Sequence, residues 1–144
     1  MMIVPTFVGP SSIEGVGLFA AAPIRAGQSI WQLDERFDLL LTPDDLAGLP
    51  DLQRSFVERY GYPHMTRPGL TVVEFDHGRF MNHSETPNTD FQHPETGYAI
   101  RDIAAGEELT CDYAEFDPGF AMQPGRSFFL NGTAGPPPPS GIHT

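Results

Sequence analysis

The sequence predicts a mainly β domain with one short helical insert, and three observations predict it. Apolar residues alternate with polar ones over short runs, most cleanly in Gln28-Ser29-Ile30-Trp31-Gln32-Leu33, which is the period of a half-buried strand. Turn-rich polar stretches separate these runs. One region only, about residues 43–61, carries helical spacing together with helix start and stop signals. The 144 residues suit one domain with a single core, and 40% hydrophobic with 19% charged residues is an ordinary globular balance.

Taken in order, residues 3–8 alternate loosely as a first strand, residues 28–33 form a half-buried one, and the apolar run Phe37 to Leu41 forms another. Thr42-Pro43-Asp44-Asp45 marks a helix start, with a Thr N-cap, Pro at the first helical position and acids in the first turn. Pro50-Asp51 opens a second helix that Gly61 ends. Leu52, Phe56 and Tyr60 share one face of it, a stripe expected to face the core. Leu70 to Phe75 and Gly97 to Ile103 read as strands, Ala104-Ala105-Gly106 as a turn, and Glu108 to Tyr113 begins as a further strand. The domain is expected to span residues 1–130. Residues 131–144, built around Pro136 to Pro139, are expected to be an extended, solvated tail.

The formal charge of −11 disfavours direct nucleic-acid binding and suits a basic partner. All eight basic side chains apart from histidine are Arg, so the chain has no lysine of its own to modify. The N-terminal residues lack a basic region leading into an apolar run, and no stretch has the length of a membrane span. The Asn82-His83-Ser84 and Asn131-Gly132-Thr133 sequons carry little weight without secretion. A single cysteine, Cys111, excludes an internal disulfide and agrees with a reducing, cytoplasmic setting. Small size and all-Arg usage agree with a bacterial source. His64, His77, His83 and His93 do not repeat a known ligand spacing, so no metal is expected.

Gly15-Val16-Gly17-Leu18-Phe19-Ala20 satisfies the G-x-G-x-x-A dinucleotide fingerprint. That fingerprint needs a helix from its second glycine, and Pro23 and Gly27 interrupt any helix there. What remains is a segment whose backbone can approach a ligand without a Cβ in the way.

Two further stretches carry the chemistry. Arg79-Phe80-Met81-Asn82-His83-Ser84 runs on to Pro87-Asn88, and Glu108-Leu109-Thr110-Cys111-Asp112-Tyr113 follows. In this order, and after the Gly-x-Gly segment with its continuation Ala21-Ala22-Pro23-Ile24-Arg25-Ala26-Gly27, the set resembles SET-domain protein-lysine methyltransferases over about residues 3–117. The resemblance implies a β-clip-like fold of short curled strands, in which the two signature segments cross as a pseudo-knot shaped by Arg79, Phe80, Ser84, Pro87 and Asn88. It implies S-adenosylmethionine as cofactor, held by Gly15, Val16, Gly17, Asn82, His83, Tyr113 and Phe116. Tyr113 is the implied catalytic residue. The implied walls of a lysine channel are Tyr62, Phe80, Tyr98, Cys111 and Phe120, with Phe128 and Phe129 in the same C-terminal stretch.

The chemistry asked of such a site is alignment. Lysine, with an ordinary pKa of about 10.4, is neutral about once in 2,500 molecules at pH 7, a handicap of roughly 4.6 kcal/mol. An apolar channel and a neighbouring positive charge both lower that pKa, and a phenol oxygen can orient the reactants. Two departures from the resemblance stand out. The zinc-binding cysteine cluster that many relatives carry after the signature is missing. Cys111 occupies a place usually held by Phe or Tyr, which predicts room for a di- or trimethylated product; the alternative is that its thiol points into the core. The expected partner is a basic protein or peptide with an accessible lysine. The competing readings are a SET-like binding module with little turnover and a dinucleotide enzyme.

Overall fold

A computed structural model describes residues 1–117. Ten short strands and two helices follow in chain order. They are β1 (Thr6–Pro10), β2 (Val16–Ala20), β3 (Ser29–Gln32), β4 (Leu39–Leu41), α1 (Pro43–Ala47), α2 (Asp51–Tyr60), β5 (Tyr62–Pro63), β6 (Thr71–Val73), β7 (Asn82–His83), β8 (Thr89–Asp90), β9 (Thr96–Ala99) and β10 (Glu108–Cys111). Single 3-10 turns at His77–Phe80 and Tyr113–Glu115 bracket the two signature segments. The strands form three small sheets, ordered β1-β2-β10-β7, β3-β9-β8 and β4-β6-β5. This is the mainly β architecture with a helical insert that the sequence predicts. The expected tail, with Phe120, Phe128 and Phe129, lies outside the described residues.

The first strand begins at Thr6, three residues later than residues 3–8 predict. Met2 instead makes an isolated bridge to Trp31. Val16–Ala20 is a strand antiparallel to β1, with Gly9 opposite Gly17, so no helix starts at the second glycine and the dinucleotide geometry is absent. Leu18 and Ala20 face inward from β2 and meet Ile24, Ile30, Trp31, Met81, Ala99, Ile103, Leu109 and Cys111 in the principal core. Gly106 turns in the left-handed region (φ 85°) and donates its N–H to Ala20, delivering β10 beside β2.

The helical insert starts as expected. Thr42 Oγ1 accepts from Asp45 N at 3.1 Å, and Thr42 N donates to the Asp45 carboxylate at 2.8 Å, a reciprocal capping box. The end of α2 differs in its cause. Gly61 is extended (φ −78°, ψ 154°), not left-handed. A Cβ there would stand 2.6 Å from the Val57 carbonyl oxygen, so close approach is what demands glycine. The Leu52, Phe56 and Tyr60 stripe is not a core stripe. Leu52 is 68% exposed and α2 contributes no buried residue, because the first turn of the helix lies in solvent and Phe56 and Tyr60 are covered only in part. There Tyr60 packs on Phe56 and edge-on against Phe80, with ring centroids 4.9 and 5.9 Å apart. Among the described residues, no helix is long and apolar enough to cross a membrane.

Candidate active site

The two signature segments meet as a parallel pair, with Thr110 opposite Asn82 and Cys111 opposite His83. Two bonds are added where the strands end: Ser84 N donates to the Cys111 carbonyl at 2.9 Å, and Tyr113 N donates to His83 Nδ1 at 3.1 Å. The pair is held from the far side by Asn88. Its Oδ1 accepts from Thr110 N at 2.9 Å while its Nδ2 donates to the Glu108 carbonyl at 2.8 Å, so one amide side chain does the work of a neighbouring strand. The buried Thr89 hydroxyl adds a bond to the Thr110 carbonyl at 2.7 Å.

Asn82 ties this pair to the Gly-rich loop. Its Nδ2 lies within 3.0–3.2 Å of the carbonyl oxygens of Glu14 and Val16, the Ser11 hydroxyl and Glu108 Oε2. Glu108, in turn, accepts from the Ser11 hydroxyl through both carboxylate oxygens at 2.8 and 2.9 Å. The loop is therefore set by a part-buried polar knot of Ser11, Asn82 and Glu108 and not by glycine alone. Gly15 lies in the left-handed region (φ 42°), with nothing within 4 Å of where a Cβ would be, which leaves bare, open backbone. Gly17 is the opposite case. A Cβ there would stand 2.9 Å from the Glu108 carboxyl carbon and 3.1 Å from Asn82 Nδ2. Gly17→Ala should lower stability by about 1–3 kcal/mol, the usual cost of overpacking, read as a fall in thermal unfolding midpoint. An unchanged midpoint would show that the knot does not depend on the bare glycine.

His83 accepts at Nδ1, so in its neutral form the ring carries its proton on Nε2. Burial lowers its pKa, against the opposing charges of Asp112 and Glu85. Its ring lies 5.3 Å from that of Tyr113. The Tyr113 hydroxyl donates to the Met81 carbonyl at 2.5 Å, fastening the end of the second signature segment to the start of the first. With its proton committed there, the phenol oxygen keeps lone pairs for a cationic or amine group.

Tyr113 also lines a cavity of about 830 Å³, open mouth included, walled by an interlocked set of rings. Phe116 is the hub, 5.0 Å from Tyr62, 5.8 Å from Tyr113 and 6.0 Å from Phe91, centroid to centroid. Phe91 stands edge-on to Trp31 at 5.6 Å and lies over Gly97, where a Cβ would come within 2.8 Å of the ring. The cavity thus brings together Tyr62, Cys111, Tyr113 and Phe116. Gly15, Val16, Gly17, Asn82 and His83 do not line it; Val16 and Gly17 stand on β2 and Asn82 and His83 on β7, either side of β10 in one sheet, and Gly15 just precedes β2. Phe80 and Tyr98 do not line it. Phe80 is turned against Tyr60, with the Arg79 guanidinium 4.5 Å from its centroid. On β9, buried Gly97 and Ala99 take the inward face, and Tyr98 points the other way, edge-on to His93. Cys111 is 3% exposed and belongs to the core and the cavity wall at once; burial holds its thiol well above the usual range, helped by the charge of Glu74.

Sequence reasoning passes over Glu108, Trp31, Met81 and Glu74. For Glu108 the signal was present, as the first residue of the second signature. Glu74 also left one: a carboxylate directly follows the apolar Val72-Val73 of a strand, a place that burial makes costly. Among the described residues, no group of three or more His, Cys, Asp and Glu is arranged to hold a metal ion.

Comparisons with known proteins agree with this geometry. The family model described as the SET domain matches residues 15–114. A chain of polycomb repressive complex 2 from Chaetomium thermophilum is similar at 27% identity and a TM-score of 0.61, over 80% of this chain and 16% of that one. A humanized mutant of the same complex, bound to an inhibitor, gives 24% identity and a TM-score of 0.60, over 83% and 16%. A candidate histone methyltransferase from Plasmodium falciparum shares the fold at 18% identity and a TM-score of 0.55, over 76% of this chain and 93% of that one. The chain therefore spans about 16% of the length of the polycomb chains it matches. No curated protein matches it in sequence.

Proposed function

The chain belongs to the SET-domain family, a family of protein-lysine methyltransferases, and we propose that it transfers methyl groups from S-adenosylmethionine to lysine in a basic protein. The observation that carries this reading is Tyr113. It lines the ring-bearing cavity while its backbone N–H and its hydroxyl are bonded to the first signature segment at His83 and Met81. One residue therefore faces both the cavity and the segment beside the Gly-rich loop. Gly15, Val16, Gly17, Asn82 and His83, with the rings of Tyr113 and Phe116, would hold the cofactor, and the bare backbone at Gly15 fits a ligand that must come close to the main chain. When bound, S-adenosylmethionine would supply an electrophilic methyl group.

The remaining work falls to the protein. Tyr62, Phe91, Phe116 and Trp31 enclose the lysine stem, exclude water and so favour the neutral amine. The Tyr113 oxygen orients that amine with lone pairs that its own bond to Met81 leaves available. The formal charge of −11 draws a lysine-rich segment towards the site. The cytoplasm is the proposed compartment.

Transfer of labelled methyl to a panel of basic proteins tests the reading, and the absence of lysine in the chain assigns any labelled side-chain amine to the substrate. Cofactor binding without transfer would leave a binding module. The product is proposed to be di- or trimethyl-lysine, because the small thiol of Cys111 leaves room where a Tyr would fill the cavity. Cys111→Tyr should restrict the product to monomethyl-lysine by mass spectrometry. Only monomethylated product from wild-type enzyme in excess would sink the assignment.

A further inference from the structure

Two acids line the ring-lined cavity, exposed Glu95 and buried Glu74, and only Glu74 is shut away from solvent. Glu74 follows β6 directly and is 8% exposed, yet it lines the same cavity as Tyr113. The Tyr62 hydroxyl reaches its Oε1 at 3.4 Å, a long hydrogen bond, and among the described residues Glu74 forms no salt bridge. Its other oxygen lies over Gly78, where a Cβ would stand 2.9 Å from Oε2. A side chain at that position would push the carboxyl aside. A carboxyl placed among aromatic walls without a cation of its own is costly unless something supplies one.

We propose that Glu74 receives the substrate's ammonium inside the cavity and takes one of its protons. This rests on the methyltransferase reading and names the group that prepares its nucleophile. One Nζ–H bond breaks, its electron pair stays on nitrogen, and the proton forms an O–H bond on the Glu74 carboxylate. An ammonium and a carboxylate become a neutral amine and a carboxylic acid, so no net charge is created in the apolar cavity. Burial raises the Glu74 pKa to about 7, with the Met1 ammonium and the Trp31 indole N–H opposing the rise and the charges of Asp76 and Asp38 adding to it, which makes the carboxylate a stronger base than an exposed glutamate. Tyr62, whose own pKa is pushed well up by burial and by Glu74, remains a phenol and can only donate to it. Arg59, Arg79, His64, His93 and Glu95 line the same cavity.

The test uses n-butylammonium, a lysine side chain without its backbone, titrated into the full chain and followed by NMR, beside methyl transfer to a basic protein. Wild type should bind the amine about 10-fold or more tightly at pH 8 than at pH 5.5, where Glu74 is protonated. Glu74→Gln should bind weakly at both pH values, and Glu74→Asp should recover part of the pH dependence. Equal affinity in wild type and Glu74→Gln, or no binding to either, overturns the proposal. Methyl transfer with the same rate and pH profile in both proteins also overturns it while leaving the enzyme standing. Glu74-dependent amine binding without methyl transfer to any protein upholds the role of Glu74 and sinks the enzyme reading instead.

Discussion

Tyr113→Phe should reduce methyl transfer by roughly 10²-fold or more, the scale seen when one group stabilising a transition state is removed, while leaving the protein folded. The substitution keeps the ring, and with it the packing on His83 and Phe116. It removes only the oxygen that bonds the Met81 carbonyl and faces the cavity. Losing the donor to the Met81 carbonyl should cost about 1–3 kcal/mol of stability, less than the roughly 5–15 kcal/mol typical of a native domain. Stabilisation by S-adenosylmethionine should persist, since the loop and Asn82 are untouched; a ligand at 100 times its Kd contributes about 2.7 kcal/mol. Two measurements therefore separate the roles, turnover for the phenol oxygen and ligand-induced shift in Tm for the loop. Wild-type turnover in the variant would remove Tyr113 from the chemistry.

The second large effect concerns stability and has an unusual sign for an acid. Glu74 has its pKa raised from the usual 4.5 to about 7, chiefly by burial. Between those values the folded chain binds a proton that the unfolded chain releases. Its contribution to stability is therefore fully present below pH 4.5, is lost as pH rises through 7, and is flat above. The loss corresponds to about 3 kcal/mol at alkaline pH. Glu74→Gln keeps the shape and removes the titration. The variant should match wild type at pH 4 and exceed it in unfolding free energy by about 3 kcal/mol at pH 9. Denaturant unfolding of both proteins across that range is the measurement. Parallel curves would show that Glu74 ionises without cost and would remove the burial argument. A gain in stability on losing a charged group is the mark of a residue retained for function at some expense to the fold.

Much of the fold was legible because its signals are local. Thr42, Pro43 and Asp45 specify a helix start through bonds that span three residues, and the structure forms that capping box. Residues 28–33 specify a strand, and Ser29–Gln32 is one, although an irregularity between Ser29 and Trp31 buries the adjacent Ile30 and Trp31 together where alternation would bury every second residue. Pro23 and Gly27 excluded a helix after the second glycine, and Val16–Ala20 is a strand. The two signature segments, far apart in the chain, pair side by side. Where reading failed, the cause was contact between residues distant in the chain. Leu52 has the spacing of a core residue, yet the first turn of α2 lies in solvent and leaves it 68% exposed. Phe80 and Tyr98 are aromatic like true walls of the cavity, but strand alternation and the ring of Tyr60 direct them elsewhere.

The sequence by itself determined the class of fold, the cap that starts α1 and the family, because each depends on residue types at short or signature spacing. Tertiary structure alone decided that Asn82 and Glu108 clamp the loop from 26 positions apart, and that Phe116 joins three rings into one wall. It alone decided, too, that Glu74 sits buried in the cavity. Burial and electrostatic surroundings are sums over neighbours brought in from the whole chain. A carboxylate after a strand is the same letter whether it faces water or a ring-lined cavity, and only packing gives it a pKa of about 7.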